Sequence, residues 1–271
     1  MCSSDLVLAI LLAAAGATAQ DDAPSRMIRA TVKIFHKSSV GTGFLVAPPD
    51  DPGPRKAVLV TAKHILEKTP GDEVLLVMRK ALSDGRYGRQ DVPARIREAG
   101  KPLWVSHATE DVAAMVVGVP EGLAIEPLPF ALLAAEKDLI EARVHTGSAG
   151  WVLGFPTRFE ANAAGLPVCR HASIASFPLT PVQHHHWFLA DFCTFSGDSG
   201  GPMFVTDPRA KDPASAPPLV VGLVSAHFRH DEEVKTLFEE RMIHHSLNLS
   251  KMIQAEFIRE TVIRAVKGPR P

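Results

Sequence analysis

The sequence predicts an all-β protein of the sandwich or barrel class. Short apolar runs of four to ten residues dominate it, six before the segment EGLAIEPLP (121–129) and six after it. Turns rich in proline, glycine and aspartate separate these runs, and no long helical pattern comes between them. Because successive parallel strands need a crossover helix between them, this arrangement favours antiparallel strands.

The first run shows how each strand is recognised. In RATVKIFH (29–36), Ala30, Val32 and Ile34 alternate with polar residues, so one face of the strand is predicted to be buried. The other predicted strands are 43–47, 57–61, 73–78, 91–97 and 112–118 in the first half, and 139–145, 150–155, 166–175, 186–192, 202–205 and 219–227 in the second.

A single clear helix is predicted near the end of the chain. Apolar residues recur at helical spacing between Phe257 and Val266, and Gly268 with Pro269 ends the pattern. The segment 231–241 fits a helix or a strand, and its pattern does not decide between them.

Composition and charge exclude several classes of function. The chain has 271 residues, 46% hydrophobic and 22% charged, with a formal net charge of −1. This is an ordinary globular composition without the excess of basic residues that nucleic acid or anionic membranes attract. Neither GxxxxGK[ST] nor GxGxxG occurs. We therefore expect no nucleic-acid partner, no cofactor and no metal.

The first residues resemble an export signal. Residues 6–19 are apolar or small and end in Ala17-Thr18-Ala19, which is typical of a cleaved secretory signal peptide at 1–19. A secreted or periplasmic protein without a membrane partner is expected after cleavage. Cys169 and Cys193 then remain, either as a disulfide or as two buried thiols; the sequence leaves both open.

The stretch FSGDSGGPMF (195–204) predicts a nucleophile at Ser199. A serine needs an adjacent base held by an acid. His64 follows the end of a predicted strand, and Asp111 directly precedes another, so both can be held at a cleft. The N–H groups of Gly197 and Ser199 can form an oxyanion hole.

Other assignments fit less well. Asp72, Asp91 and Asp138 each lie among polar residues, and the run His184-His185-His186 points to alternating sides and makes a poor zinc site. The same serine stretch fits G-x-S-x-G, the nucleophile elbow of α/β-hydrolases. That fold needs the acid and the histidine after the serine, and a helix where a β-run follows here.

With these motifs in place, the sequence resembles the chymotrypsin-fold, or trypsin-like, serine proteases. It is most similar to bacterial trypsin-like peptidases, including the protease part of HtrA-type enzymes without a PDZ domain. The motifs are GTGFLVAP (41–48), TAKHIL (61–66), EDVAAMVV (110–117), WVLGFP (151–156), the serine stretch and VVGLVSAH (220–227).

The resemblance implies two six-stranded antiparallel β-barrels, at 27–125 and 126–245, followed by a C-terminal helix and tail at 246–271. The catalytic residues would be His64, Asp111 and Ser199, in the cleft between the barrels. Cys193 would lie at the base of the specificity pocket, and Ser225, Ala226 and His227 would border the bound substrate. The assignment of these four residues to substrate binding is implied by the resemblance alone.

The sequence also differs from the pattern of this family. Near the predicted mature start there is no Arg-Ile-Val-Gly-Gly sequence, so Asp198 lacks the ammonium partner that it has in animal digestive enzymes. We expect no zymogen cleavage, and a neutral Cys193 favours small or apolar residues before the scissile bond. The predicted function is a monomeric serine endopeptidase acting on proteins or peptides. The alternatives are an inactive protease-like binding protein and an esterase-like acyl hydrolase.

Overall fold

The computed structural model describes residues 22–37, 39–50, 56–206, 216–236 and 238–268. The predicted signal peptide lies outside these residues. The strands are β1 Thr31–Phe35, β2 Val40–Val46, β3 Lys56–Thr61, β4 Glu73–Ala81, β5 Tyr87–Arg95, β6 Arg97–Glu98, β7 Lys101–Pro102, β8 Val105–Ser106, β9 Ala113–Gly118, β10 Ala149–Gly154, β11 Val168–Ile174, β12 Trp187–Asp191, β13 Pro202–Thr206, β14 Pro218–Lys235 and β15 Glu240–Gln254. The helices are α1 Ala23–Ala30, α2 Lys63–Lys68, α3 Glu136–Glu141 and α4 Ala255–Val266, with short 3₁₀ turns at Phe130–Leu132 and Pro156–Arg158.

The first half is an antiparallel seven-stranded sheet in the order β5-β4-β1-β2-β3-β9-β8. Its central strands are apolar on both sides; β3, for example, is buried from Ala57 to Thr61. The pairing of β3 with β9 brings Thr61 opposite Ala113. The ends of these two strands are therefore adjacent, and the residues that follow Thr61 lie close to those that precede Ala113.

The second half is a closed barrel in the order β10-β11-β12-β15-β14-β13. Antiparallel pairing runs around the whole barrel, and each strand pairs with two neighbours. The predicted all-β fold in two antiparallel halves with a C-terminal helix is confirmed. The second half is a six-stranded barrel as predicted, and the first half is a sheet of seven strands where a six-stranded barrel was predicted. The buried apolar residues of both halves form one continuous core.

Two helices pack across the junction of the halves. Helix α1 contacts β2 of the sheet and β10 and β14 of the barrel. Asp22 caps its start, because its Oδ1 accepts a hydrogen bond from the N–H of Ser25 at 2.7 Å. Helix α4 contacts β3, β8 and β9 of the sheet and β14 and β15 of the barrel. Each helix therefore ties one half to the other.

Three segments differ from, or complete, the sequence predictions. The run 139–145, predicted as a strand, overlaps helix α3, because Oδ2 of Asp138 accepts the N–H of Ala135 at 2.8 Å and starts a helical turn. The ambiguous segment 231–241 forms strand at its two ends, in β14 up to Lys235 and in β15 from Glu240. The second barrel continues past residue 245 to Gln254, since β15 supplies its last strand, and the C-terminal helix begins at Ala255.

Among the described residues, no helix is both long and apolar enough to cross a membrane.

The packing of α4 gives a prediction about stability. The side chain of Ile258 in α4 is fully buried, whereas that of Ile263 in the same helix is 37% exposed. We expect Ile258→Ala to lower the free energy of unfolding by about 2–5 kcal/mol through lost burial and a residual cavity. Ile263→Ala is the matched control and should cost about 1 kcal/mol or less. Urea denaturation of both variants measures the difference, and equal costs would contradict the packing described for α4.

Candidate active site

The paired ends of β3 and β9 bring His64 and Asp111 together. His64 lies in the first turn of α2, and Asp111 lies just before β9. One carboxylate oxygen, Oδ1, accepts the backbone N–H of His64 at 3.0 Å. The other, Oδ2, lies 2.8 Å from Nδ1 of the imidazole. Because Asp111 holds both the backbone and the ring of His64, the orientation of the imidazole is fixed from two sides.

The charge of Asp111 sets the tautomer of His64. Burial raises the pKa of Asp111, but the hydrogen bonds from His64 and Ser225 and the charge of His64 more than offset that rise, so the net pKa lies below its usual value. The carboxylate is thus ionised at neutral pH and only accepts hydrogen bonds. In the neutral form of the His64 ring, the proton then lies on Nδ1 and Nε2 can act as a base.

Ser199 lies in the turn between β12 and β13, and backbone hydrogen bonds fix this turn. The N–H of Gly200 donates to the carbonyl of Val224 at 2.7 Å, and the N–H of Val224 donates to the carbonyl of Gly201 at 2.9 Å. A side chain at position 200 would collide with the Thr42 carbonyl, since a Cβ would lie 2.2 Å from it. Strand β14 therefore runs directly beside the nucleophile turn.

Thr42, on β2 of the first half, joins this turn to the sheet that carries His64. Its N–H donates to the carbonyl of Ser199 at 2.9 Å, and its Oγ1 donates to the carbonyl of Gly197 at 2.7 Å. Its own carbonyl accepts Oγ1 of Thr61 at 2.7 Å, three residues before His64. This buried chain of hydrogen bonds positions the nucleophile turn relative to the histidine.

The backbone of the turn leaves two donors unused. The N–H groups of Asp198 and Gly200 bond to the carbonyls of Phe195 and Val224, at 3.1 Å and 2.7 Å. Among the described residues, the N–H groups of Gly197 and Ser199 have no hydrogen-bond acceptor. These are the two donors expected for the oxyanion hole.

Only glycine fits at position 197. The residue has a φ of +102°, and a Cβ there would lie 2.2 Å from the carbonyl oxygen of Phe155. The glycine therefore sets the direction of the first candidate oxyanion donor.

Asp198 finds its partner in Arg170 on β11. The carboxylate is fully buried. Its Oδ1 lies 2.5 Å from Nη2 of Arg170, and its Oδ2 accepts the N–H of Phe195 at 2.8 Å. Nη1 of Arg170 also donates to the carbonyl of Cys193 at 2.9 Å, and the guanidinium lies 4.8 Å from the ring centre of Phe192. The charge of the buried Asp198 carboxylate is thus balanced by an internal cation.

The cost of burying Asp198 shows what Arg170 does. Burial raises the pKa of Asp198, and Arg170 together with the Phe195 amide offsets only part of that rise. When burial raises the pKa of an acidic group, the folded protein becomes less stable as the pH rises from the group's unfolded pKa to its folded pKa. Without Arg170 the buried carboxylate would stand uncompensated at neutral pH.

His64, Gly197 and Ser199 line one cleft of about 680 Å³ at the junction of the two halves. No hydrogen bond joins Oγ of Ser199 to the imidazole within the described residues. Such bonds are often long in the free enzyme and tighten when substrate binds. The structure thus brings the three candidate residues to one site with the acid–histidine contact already formed.

One wall of the cleft comes from Thr157 and Arg158, both of which have positive φ values, 49° and 70°. The N–H of Thr157 donates to the carbonyl of Ser196 at 2.6 Å. Just beyond this wall, Glu160 bonds to the buried Lys33 at 2.7 Å and to Arg89 at 2.8 Å, both from the first half. These ion pairs connect the segment that follows the wall to the first half.

A second cluster supports the chain behind Asp111. The ring of His107 accepts the N–H of Glu110 at Nδ1, at 3.1 Å, and its Nε2 lies 3.0 Å from Glu260 of α4. Glu110 in turn lies 2.8 Å from Nδ1 of His186 and raises the pKa of that histidine. Phe257 packs against both imidazole rings. Helix α4 and the barrel therefore both contact the segment that carries Asp111.

The predicted substrate-binding residues lie in different environments. Ser225 is buried, and its Oγ donates to Oδ2 of Asp111 at 2.7 Å, so its side chain orients the acid rather than facing solvent. Ala226 and His227 are exposed on β14. Cys193 contacts Arg170 through its carbonyl, and its Sγ lies 4.0 Å from Oγ of Ser246.

Both cysteines are free thiols, so the disulfide that the sequence left open is not formed. Cys169 is exposed on the outer side of β11, whereas the thiol of Cys193 faces β15. Among the parts of the chain that the structure describes, no group of three or more His, Cys, Asp or Glu side chains could hold a metal ion.

Comparisons with known proteins add little to this geometry. No family model matches the chain, and no curated protein does. One similar solved structure is an inactive serine-to-alanine mutant of Rv3671c from M. tuberculosis, with a TM-score of 0.49 and 17% identity over 93% of this chain and 94% of that one. Another is the inactive form of the Rv3671c protease, with a TM-score of 0.49 and 18% identity over 91% and 94%. At this level of similarity, the roles of the residues must follow from the contacts of this chain.

Two residues that organise the site were not identified from the sequence. Arg170 does leave a signal, since it is a charged residue on the same side of β11 as the buried residues Ala172 and Ile174. Thr42 is a polar residue in an otherwise apolar strand, and its position between two glycines hid its role. Both act through contacts with residues far away in the sequence.

The Arg170–Asp198 pair gives a prediction. We expect Arg170→Met to reduce kcat/KM at least tenfold, because breaking a buried ion pair costs about 3–5 kcal/mol and loosens the turn that holds Ser199. Arg170→Lys should retain more activity than Arg170→Met, since it keeps a cation. The double variant Arg170→Met/Asp198→Asn removes the uncompensated charge and should recover part of the stability. Thermal unfolding and peptide hydrolysis test this, and a fully active Arg170→Met would refute it.

Thr42 gives a second prediction. Thr42→Val keeps the shape of the side chain but leaves the Gly197 carbonyl without its donor, which should cost about 1–1.5 kcal/mol and lower kcat/KM roughly five- to tenfold. Thr42→Ser keeps the hydroxyl and is the control. Steady-state kinetics at one pH compare the two, and equal activities would show that the hydroxyl does not position the turn.

Proposed function

We propose that the chain is a serine endopeptidase that hydrolyses peptide bonds through an acyl-enzyme. The observation that supports this best is the double contact of Asp111 with His64, in the same cleft as Ser199 and two unpaired amides. A serine hydroxyl is a weak nucleophile, and this arrangement supplies the base, the orienting acid and the oxyanion donors that it needs.

Each residue has one step to perform. Nε2 of His64 takes the proton from Oγ of Ser199 as the oxygen attacks the substrate carbonyl, and the N–H groups of Gly197 and Ser199 stabilise the resulting oxyanion. The imidazolium then gives its proton to the leaving amine, and an acyl-enzyme remains. A water molecule, deprotonated by His64, attacks this ester and restores Ser199. Asp111 stays ionised and stabilises the imidazolium throughout.

The environment of Cys193 supports a preference for small or apolar substrate residues directly before the scissile bond. Cys193 has no carboxylate that could pair with a lysine or arginine side chain of the substrate. The nearby carboxylate of Asp198 is already paired with Arg170, whose Nη1 donates to the Cys193 carbonyl. Small or apolar residues are therefore the proposed preference. Export of the mature chain, proposed from residues 1–19, would place this activity outside the cytoplasm.

Active-site labelling tests the function directly. A fluorophosphonate probe should label wild-type protein at Ser199, while Ser199→Ala and His64→Ala should show no labelling and at least ~10³-fold lower peptide hydrolysis. Circular dichroism of the same variants checks that they are folded. Absence of labelling in folded wild type would favour a binding protein, and turnover of esters without peptides would favour an acyl hydrolase.

A further inference from the structure

Strands β14 and β15 extend beyond the barrel as a two-stranded arm, residues 226–248. β14 pairs with β13 only from Pro218 to Leu223, whereas its pairing with β15 continues to Lys235. Among the described residues, no strand pairs with the other edge of β14 past Leu223. An isolated hairpin of this kind is marginally stable, and its open edge offers backbone donors and acceptors to another chain.

This open edge begins at the nucleophile. Val224, the last residue before it, bonds through both backbone groups to Gly200 and Gly201. The next residue, Ser225, bonds through its side chain to Asp111. A polypeptide paired with the edge would therefore lead towards the turn that holds Ser199.

Two irregularities occur in the pairing of β14 with β15, and neither adds a residue to β14 between Ala226 and Lys235. Ser225 is the one extra residue of β14, opposite the step from Met252 to Lys251. Farther out, the extra residues lie on β15, where Leu247 and Asn248 have no pairing partner in β14 and Asn248 has a φ of 55°. A proline or a bulge on an edge strand interrupts the backbone pattern that an added strand needs. From Ala226 to Lys235, β14 has neither.

We propose that the edge of β14 from Phe228 to Lys235 binds the substrate on the N-terminal side of the scissile bond, as an added antiparallel strand. This inference rests on the proposed function and deepens it, because the resemblance implies contacts only as far as His227. Antiparallel pairing runs the substrate towards Ser199 with its scissile bond at the cleft. From Ala226 to Lys235 the strand spans about 30 Å, enough for roughly nine or ten substrate residues.

The charge of the arm favours basic substrates. Between Phe228 and Leu247 there are five acidic and three basic residues, a net charge of −2. The ion pairs within the arm are exposed, such as Arg229 with Asp231 at 3.0 Å and Lys235 with Glu233 at 2.9 Å. Exposed pairs of this kind are weak and can exchange partners. Lysine or arginine some seven to nine residues before the scissile bond should therefore add to binding.

Substrate length tests the proposal on the unmodified protein. Peptides with one cleavage sequence and four, seven or ten residues before the scissile bond should show kcat/KM rising at least tenfold from the shortest to the longest. In the longest peptide, N-methylation of single amides should lower kcat/KM roughly five- to tenfold at alternate positions and little at those between, because only alternate amides of an added strand face its neighbour.

Charge provides a second readout. A peptide with lysine at the eighth and ninth residues before the scissile bond should be cleaved several-fold faster than one with glutamate there. Glu232→Gln/Glu233→Gln should reduce this difference, while Glu73→Gln/Glu98→Gln, at exposed positions of the first half, should not.

The results of these experiments distinguish failure of the arm proposal from failure of the proposed peptidase function. Cleavage of short peptides with no effect of length or N-methylation would overturn the arm proposal and leave the protease in place. A stable dimer in sedimentation experiments, together with length-independent cleavage, would assign the edge to a second copy and also overturn it. Failure of probe labelling and of all peptide cleavage would instead overturn the proposed function.

Discussion

An ionised carboxylate in the interior of a protein needs a partner, and the candidate site depends on how this need is met for Asp198. The residue is directly next to Ser199 and fully buried. Arg170 and the amide of Phe195 hold its two oxygens, so the turn on either side of it adopts one conformation. The positions of the serine oxygen and of the two unpaired amides follow from this contact. The ion pair is formed within the second barrel, between β11 and the turn before β13.

Contacts between the two halves then bring the nucleophile to its base. The hydrogen bond of Thr42 with the Gly197 carbonyl connects the serine turn to the first sheet. The hydrogen bond between Thr61 and Thr42 continues this connection to the start of α2. On the other side, Ser225 of the barrel donates to Asp111 of the sheet. Each half thus supplies a hydrogen bond that the other half's functional residue needs. The site is a property of the junction and belongs to neither half alone.

Much of this arrangement could be predicted from local pattern, and the exceptions have physical causes. Strand alternation and turn composition indicated the β-fold, and motif context placed His64, Asp111 and Ser199 together as candidates. The segment 139–145 was misassigned because a side-chain cap at Asp138, rather than its apolar pattern, decides its structure. Arg170 and Thr42 could not be assigned, since their partners lie 28 and 155 residues away in the sequence. The role of Ser225 depended on a bulge, which no local pattern reveals.

The packing of α1 and α4 has a consequence for what can enter the cleft. Both helices contact both halves, so a hinge motion between the halves would separate buried apolar surfaces. This burial opposes any widening of the cleft. Under the proposed function, a substrate would therefore enter as an extended segment, such as a flexible loop or a linker, and local disorder would decide which proteins are cleaved.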